Sequence, residues 1–371
     1  MKVWLLLSRL GHGGLERVQL NIAKAMHARG VDVSIVAGQI LADVRHELPP
    51  ALPVIELAKP GLPRFFVGLL RALYRDRPAV VFTTSNDVAC LLLLLRLTLF
   101  QKMRVIVTQH LSLSGPRQIA RGRKRIKLEL IRTAMRLLLP GANGLVAVSR
   151  GVAEDMRREL SLKNAEITII HNPIVTPDFD AHMQETSAWP WSNRDAPTII
   201  FVGRLSTEKR LDLLLDSFLA LIRTMPARLL IVGEGSARQE IERRIRIDGL
   251  QDCCKLTGFV HNALPLMHAA DVLALPSDYE GFGNVLVEAM ACGTQVVSTD
   301  CPHGPAEILN DGEFGQLIPM NDPAAFEAAL RNSLEHRFHV APAALKARAS
   351  TFGQEAAVSR YIALLHRATA R

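Results

Sequence analysis

Cysteine is scarce in this sequence, and the few cysteines have no spacing that suggests a shared role. The 371 residues include five cysteines, an odd number without a disulfide framework or a zinc-ligand pattern. They are Cys90, Cys253, Cys254, Cys292 and Cys301. The pattern predicts reduced thiols in a cytoplasmic protein.

Long apolar runs are also missing. The most apolar stretch beyond the N-terminal region, Ala89 to Phe100, contains Arg96 and is well below the roughly 20 residues that span a bilayer. The apolar run Val3–Leu7 is too short for the core of a signal peptide, so it predicts a first β-strand. We therefore expect no transmembrane helix.

Aromatic residues are few, and charge is unevenly distributed. Aromatics make up 5% of the chain and form no stacking motif, which argues against nucleic-acid binding. Within the net charge of +8, residues 1–180 hold 26 Lys and Arg against 14 Asp and Glu, whereas the remainder holds 18 against 22. The basic first half is expected to meet something anionic, such as a lipid surface or a phosphorylated substrate.

Short apolar runs alternate with longer helical patterns, and the alternation starts again after an irregular stretch between residues 172 and 197. Strands are predicted at Val3–Leu7, Val31–Ala37, Ala79–Phe82, Arg104–Thr108, Gly144–Val148 and Glu166–Ile170, and then at Thr198–Val202, Arg228–Val232, Lys255–Thr257, Asp271–Leu275, Gln295–Ser298 and Gly315–Ile318. Strands of this kind suit parallel sheets that are covered on both faces.

This rhythm predicts two doubly wound, Rossmann-like α/β domains in tandem. We place them at residues 1–178 and 179–354, with residues 355–371 as a C-terminal helix that packs back on the first domain. Ligands of such sheets bind at the carboxyl ends of the strands, so a cleft between the domains is the expected site of chemistry.

The segment from Pro276 to Glu288 follows a predicted strand and opens a helix. Gly281 and Gly283 allow close backbone approach to a ligand, and the free N–H groups of a helix start favour an anion. Glu288 lies in a helix that is apolar on nearly every face, so its carboxylate is expected to be buried and partnered. A ribose diol would satisfy both oxygens, and an ordinary ion pair is the alternative.

A second strand-to-helix turn runs from Gly203 to Lys209. A lysine near a helix start opposes the helix dipole unless an anion offsets it, and Arg204 could face the same anion. A diphosphate would suit both cations. The alternative is an exposed Lys209 and an Arg204 that pairs with Glu208.

Two features of the first half are weaker. The loop from Gly11 to Glu16, with His12, Gly13 and Gly14, matches neither a dinucleotide fingerprint nor a P-loop, so it is either a backbone-lined ligand loop or a plain turn. His110 follows a predicted strand and could bind a sugar or assist an acceptor hydroxyl, or it could be structural.

The segment from Arg117 to Arg136 is a candidate for one basic amphipathic helix, with eight Lys and Arg against Glu129. Such helices lie on anionic membranes or hold phosphorylated ligands, and a solvated face over an ordinary core helix is the alternative. The expected contacts are Arg121, Arg123, Lys124, Arg125 and Lys127. By contrast, the Asp-x-Asp spacing at 178–180 lies in the irregular stretch and not at a strand end, so no metal site is predicted.

Taken together, these segments resemble glycosyltransferase family 4, a group of retaining enzymes with the two-domain GT-B fold. The most specific part is Glu280 and Glu288 with seven residues between them, followed by Ala289–Gly293 and by residues 304–308. The resemblance implies that Glu280 contacts the donor sugar, that Glu288 holds the ribose and that Arg204 and Lys209 bind the diphosphate.

The resemblance also implies a metal-independent mechanism. Arg204, Lys209 and helix N-termini would stabilise the charge that develops on the departing nucleoside diphosphate, with His110 as the cleft histidine and no covalent nucleophile. The implied donor-binding set is Gly13, Gly14, Gly203, Arg204, Lys209, Gly258, Glu280, Gly281, Phe282, Gly283, Asn284, Val285 and Glu288.

Among family 4 enzymes, the sequence looks like bacterial members that add hexoses or N-acetylhexosamines to lipid-linked glycans. This implies a UDP-sugar as co-substrate with no cofactor, a glycan or polyprenyl-diphosphate acceptor, and a cytoplasmic protein peripheral at the inner membrane. His303 departs from the small hydroxyl residue common in those relatives, which leaves the donor sugar open. The alternatives are a UDP-sugar epimerase of the same fold and a basic membrane- or nucleic-acid-binding protein.

Overall fold

The computed structural model describes residues 1–11, 13–41, 44–45, 48–57 and 62–370, so His12 of the first glycine loop lies outside the described residues. The chain forms two compact units. One comprises Met1–Pro173 with Gln354–Arg371, and the other comprises Ile174–Gly353.

The first unit is a parallel α/β sheet, with seven strands among the described residues in the order β3-β2-β1-β4-β5-β6-β7. Its elements are β1 Val3–Leu7, α1 Gly14–Ala28, β2 Val33–Ala37, β3 Val54–Glu56, α2 Leu62–Asp76, β4 Val80–Thr83, α3 Asn86–Thr98, β5 Arg104–Gln109, α4 Ser114–Ile119, α5 Gly122–Leu138, β6 Gly144–Ala147, α6 Arg150–Leu160 and β7 Ile167–Ile169. Strands β1, β2 and β4 are buried along their whole length, which explains why they lack polar alternation.

The second unit has a six-stranded parallel sheet in its described part, in the order β10-β9-β8-β11-β12-β13. Its elements are α7 Phe179–Met183, β8 Thr198–Val202, α8 Leu211–Ile222, β9 Arg228–Val232, α9 Arg238–Ile247, β10 Cys254–Gly258, α10 Leu264–Ala269, β11 Val272–Leu275, α11 Asn284–Cys292, β12 Gln295–Thr299, α12 Pro305–Leu309, β13 Gln316–Ile318, α13 Pro323–Leu334 and α14 Pro342–Ser350. The chain then enters α15, Gln354–Ala370.

Helix α15 belongs to the first unit. Arg29, directly after α1, donates a hydrogen bond to Ser359 Oγ at 2.8 Å, and the Tyr361 ring lies edge-on to Phe82 with centroids 5.9 Å apart. The boundary after Pro173 differs from the predicted one after residue 178. The reason is that the Ile174 N–H donates to the Phe352 carbonyl at 3.0 Å, which ties the start of this segment to the second unit.

One strand was missed and one local prediction is wrong. Strand β3 was not predicted, because it is only three residues long, lies at the sheet edge and is incompletely buried. The basic segment is not one helix, since α4 ends at Ile119 and α5 begins at Gly122. Arg121 between them is extended and Gly122 has φ +53°, a left-handed conformation that glycine adopts readily.

The stretch between residues 172 and 197 is less irregular than predicted, because it contains α7. Asp178 precedes this helix, accepts a hydrogen bond from Thr176 Oγ1 at 2.5 Å and lies 3.3 Å from His182 Nε2. The Asp-x-Asp pair is thus part of a helix start. Within the described ranges, no cluster of three or more His, Cys, Asp or Glu side chains is arranged to hold a metal ion.

Candidate active site

The turns that carry Lys209 and Glu280 lie side by side at one edge of the second sheet. The first turn follows β8 and the second follows β11, and these strands are parallel neighbours. Because the carboxyl ends of parallel strands meet at one edge, residues 71 positions apart in the chain come together. Lys209 Nζ lies 2.5 Å from Glu280 Oε1, and the two side chains are 17% and 12% exposed. The two predicted ligand residues therefore form a mostly buried ion pair.

The Glu280 carboxylate is oriented by a second donor. The buried Ser277 hydroxyl donates to Glu280 Oε1 at 2.7 Å, and the Ser277 carbonyl accepts a hydrogen bond from Thr299 Oγ1 at 2.6 Å. The main-chain N–H of Glu280 is directed at the Pro302 carbonyl at 3.4 Å. Both side-chain contacts engage Oε1, so the loop presents the carboxylate in one orientation.

Charged groups also shape the turn around Glu208. Burial raises the pKa of Glu208, but the Ser206 hydroxyl, which donates to it at 2.7 Å, and the nearby Arg204 and Lys209 charges lower that pKa below its ordinary value. Arg204 itself is exposed. Burial, with Glu208 nearby, raises the pKa of Tyr279 to about 12. The turn therefore combines an exposed cation with an ionised glutamate and a neutral tyrosine.

The start of α11 is built by glycines. Gly283 has φ +97° and stands immediately before Asn284, the first residue of the helix. A Cβ on Gly304 would lie 1.7 Å from the Phe282 carbonyl oxygen, so the loops before α11 and α12 are in backbone contact. The Phe282 ring packs edge-on to Phe352 at 5.4 Å between centroids. Phe282 is therefore a core residue, which leaves its backbone as the part suited to ligand contact.

Glu288 is partly buried, whereas most of the apolar residues around it in α11 are fully buried. The helix α11 is buried at Leu286, Val287 and the four residues from Ala289 to Cys292. Asn284 and Val285 are partly buried like Glu288, and residues three and four apart share one helix face. This accessible face contains three of the predicted donor-binding residues.

A third glycine turn, which was not among the predicted ligand turns, supports the Lys209 turn. Gly233 and Gly235 follow β9 with φ +142° and +159°. A Cβ on Gly233 would lie 1.9 Å from the Gly203 carbonyl oxygen, and one on Gly235 would lie 2.2 Å from that of Leu205. The signal was the Gly-Glu-Gly sequence directly after a strand. The carbonyl of Gly258, a predicted site residue, accepts a hydrogen bond from the Gly233 N–H at 2.8 Å, so Gly258 belongs to the same support.

In the first unit, the predicted glycine pair lies at the start of α1. Gly13 precedes the helix and Gly14 is its first residue. A Cβ on Gly13 would lie 2.1 Å from Glu16 Oε2, so the glutamate side chain folds back over Gly13. The Glu16 carboxylate thus lies beside the amino end of α1.

His110 is buried at 7% exposure. Its Nε2 lies 3.1 Å from Gln19 Nε2 of α1. Burial lowers the pKa of His110 to about 3, so the imidazole is neutral at neutral pH. In a neutral ring one nitrogen donates and the other accepts, and here the Gln19 amide N–H donates to His110 Nε2, which leaves the hydrogen on Nδ1. His110, Gly13 and Gly14 belong to the first unit, whereas the Lys209 and Glu280 turns belong to the second.

Helix α5 is basic and largely uncovered. Met135 is its buried residue, and the apolar side chains of Ile126, Leu130 and Leu137 are 62%, 67% and 75% exposed. The five predicted contact cations are all exposed, namely Arg121, Arg123, Lys124, Arg125 and Lys127. The exposed apolar side chains favour an amphipathic interface over the alternative of a solvated face on an ordinary core helix. No helix in the described part of the chain is both long and apolar enough to cross a membrane.

Comparison with protein families gives two matches in tandem. Residues 12–177 match the model described as Glycosyltransferase Family 4, and residues 196–336 match the model described as Glycosyl transferases group 1. Each match falls almost entirely within one structural unit.

Individual relatives agree with these matches. The chain is 26% identical over 344 residues, 90% of each protein, to the N-acetylgalactosamine-N,N'-diacetylbacillosaminyl-diphospho-undecaprenol 4-alpha-N-acetylgalactosaminyltransferase of Campylobacter jejuni. Among solved structures, sucrose-phosphate synthase from Thermosynechococcus elongatus superposes with a TM-score of 0.80 at 22% identity over 100% of both chains. HepE from Anabaena, in complex with UDP-glucose, gives 0.77 at 18% identity over 99% of both chains.

Proposed function

This chain is a glycosyltransferase that belongs to family 4 and has the GT-B fold, and we propose that it is a retaining enzyme that transfers a hexose or N-acetylhexosamine from a UDP-sugar. The observation that carries this proposal is the Lys209–Glu280 ion pair beside the amino end of α11. The proposed acceptor is a glycan or a polyprenyl-diphosphate-linked saccharide. The epimerase alternative has no support among the relatives described above.

The leaving group of such a transfer is a nucleoside diphosphate, and its developing negative charge is the main electrostatic demand on the site. Lys209 and the exposed Arg204 supply two positive charges at the β8 turn. The first N–H groups of α11 add partial positive charge beside the Glu280 loop. We propose that these groups stabilise the departing diphosphate without a metal ion.

Glu280 is proposed to bind the donor sugar. Its Oε1 accepts hydrogen bonds from Lys209 and Ser277, so Oε2 is the oxygen suited to accept a hydrogen bond from a sugar hydroxyl. The same ion pair links sugar binding to diphosphate binding, because Lys209 contacts the carboxylate and would face the phosphates. Glu288, on the accessible face of α11, is proposed to hold the ribose through its carboxylate oxygens, as the family resemblance implies.

His110 is proposed to serve the acceptor side. Because the Gln19 amide N–H donates to Nε2, the neutral imidazole is proposed to orient the acceptor hydroxyl by donating a hydrogen bond from Nδ1–H, not by accepting its proton. Its hydrogen-bond contact with Gln19 orients the ring. We assign no covalent nucleophile. Retention would then result from attack on the same face as the leaving diphosphate.

Helix α5 is proposed to meet the anionic inner membrane surface or the diphosphate of a lipid-linked acceptor on the cytoplasmic side. Its exposed cations and exposed apolar residues together suit an interface between headgroups and acyl chains, where each cation contributes about 1 kcal/mol. The Campylobacter relative is named for a diphospho-undecaprenol acceptor, which supports the same assignment. Binding to RNA is not expected.

A thermal-shift screen with UDP-, GDP- and ADP-sugars tests the donor proposal. A ligand at a hundred times its Kd stabilises a protein by about 2.7 kcal/mol, which gives a clear increase in unfolding temperature. We expect a shift with the UDP-sugars that is lost in Glu288→Ala. No shift with any of the nucleotide sugars would contradict the proposal.

A further inference from the structure

Arg210 has an unusual backbone conformation directly after Lys209. It has φ +47° and ψ 45°, in the left-handed region, between a 3-10 helix at Thr207–Lys209 and the start of α8. A residue with a Cβ adopts this conformation less readily than glycine does. An arginine at this position therefore needs a compensating role for its side chain.

The Arg210 guanidinium joins three segments of the second unit. Its Nη1 donates to Asp278 Oδ1 at 3.0 Å and also to Asn321 Oδ1, in the connection between β13 and α13. Its Nε donates to Asp212 Oδ1 at 3.0 Å. These hydrogen bonds to carboxylates, which outweigh the effect of burial, raise the pKa of Arg210 above its usual range. The side chain is thus a fixed, charged cross-link.

This cross-link connects the two turns of the active site. Asp278 lies two residues before Glu280, and its main-chain N–H donates to the Glu208 carbonyl at 2.8 Å. The side-chain bond from Arg210 to Asp278 runs alongside that backbone bond. The Lys209 turn and the Glu280 loop are therefore held together by Arg210, which is next to Lys209 in the chain, and Asp278, which is two residues from Glu280.

We propose that Arg210 is a positioning residue. It holds the Lys209 turn in the position in which the Lys209 ammonium group contacts the donor diphosphate. The inference rests on the proposed function. It predicts that loss of the Arg210 side chain weakens nucleotide binding through Lys209 and not through general destabilisation.

The test is a double-variant cycle measured by calorimetric titration with UDP. Arg210→Gly removes the cross-link but allows the left-handed backbone. We expect it to weaken UDP binding about tenfold, equivalent to about 1.4 kcal/mol. In a Lys209→Ala background, the same change should cost less than twofold. Asp278→Asn, which keeps the backbone donor, should weaken UDP binding in the same direction and is the second test if Arg210→Gly does not fold.

Arg331→Ala is the matched control. Arg331 has the same 23% side-chain exposure as Arg210 and binds Glu327 and Thr224, away from the Glu280 loop. This control should leave UDP binding within twofold.

Equal losses for Arg210→Gly in both backgrounds would show a merely structural role and overturn the inference, as would unchanged binding. If the unmodified protein binds none of UDP, GDP and ADP, the proposed function itself fails. That outcome can be told apart from failure of the Arg210 inference alone, in which the protein binds UDP and the Arg210→Gly variant binds it equally well.

Discussion

Replacement of Lys209 by alanine is the most direct perturbation of the site. Lys209 Nζ is 2.5 Å from Glu280, and both side chains are mostly buried. Removal of one preorganised group that stabilises developing charge typically lowers kcat by about 10²–10³-fold, or roughly 2.7–4 kcal/mol. Lys209→Ala also leaves Glu280 without its cation, so we expect transfer to fall by at least this amount.

Lys209→Ala should reduce the free energy of unfolding by less than it raises the activation free energy of transfer. An exposed ion pair contributes about 0–1 kcal/mol, whereas breaking a buried one costs about 3–5 kcal/mol. Ser277 still donates to Glu280 in the variant, so we expect a loss of roughly 1–3 kcal/mol between these limits. For a unit of this size, that corresponds to about 2–4 °C in Tm per kcal/mol.

The assay follows release of nucleoside diphosphate and transfer to acceptor, with circular dichroism to measure Tm. Lys255→Ala is the matched control, because Lys255 is in the same unit and its ammonium group contacts only the Gln251 carbonyl among the bonds described, at 2.9 Å. The control should retain full activity. Full turnover by Lys209→Ala would refute the assignment of this turn to the diphosphate.

Three further outcomes are expected. Because the folded-state pKa of His110 is about 3, below the ordinary 6.5, the unfolded chain binds the additional proton and stability is lost as pH falls from 6.5 towards 3. His110→Gln should remove about 1.6 kcal/mol of the loss between pH 6.5 and 5, measured by urea unfolding. An identical pH profile would contradict the buried neutral imidazole. Glu288→Ala should abolish sugar transfer with the fold retained, and activity within twofold of the unmodified enzyme would exclude a ribose contact. Neutralising Arg121, Arg123, Lys124 and Arg125, at the start of α5, should abolish co-sedimentation with anionic but not zwitterionic vesicles and leave any RNA retention unchanged. Retained binding to anionic vesicles would argue against a membrane surface there.

Local sequence patterns predicted every strand but β3 to within two residues at each end. Strands β1, β8 and β9 have the predicted bounds, because a mostly apolar run between turn residues marks a strand that is covered on both faces. The pattern failed where tertiary contacts decide. Strand β3 is too short to show a period, and the break at Gly122 depends on one left-handed residue in a segment of uniform charge.

The sequence alone identified the turns on which Lys209 and Glu280 lie, since glycine-containing segments between a strand and a helix have a recognisable composition. It could not show that these two side chains touch, because their contact arises from the order of β8 and β11 in the sheet. It also could not indicate the proposed role of Arg210, because the hydrogen-bond partners of this side chain lie up to 111 residues away in the chain. Residue type and local turn geometry are encoded in neighbouring residues, whereas the meeting of distant turns depends on strand order, and only the tertiary structure decided that order.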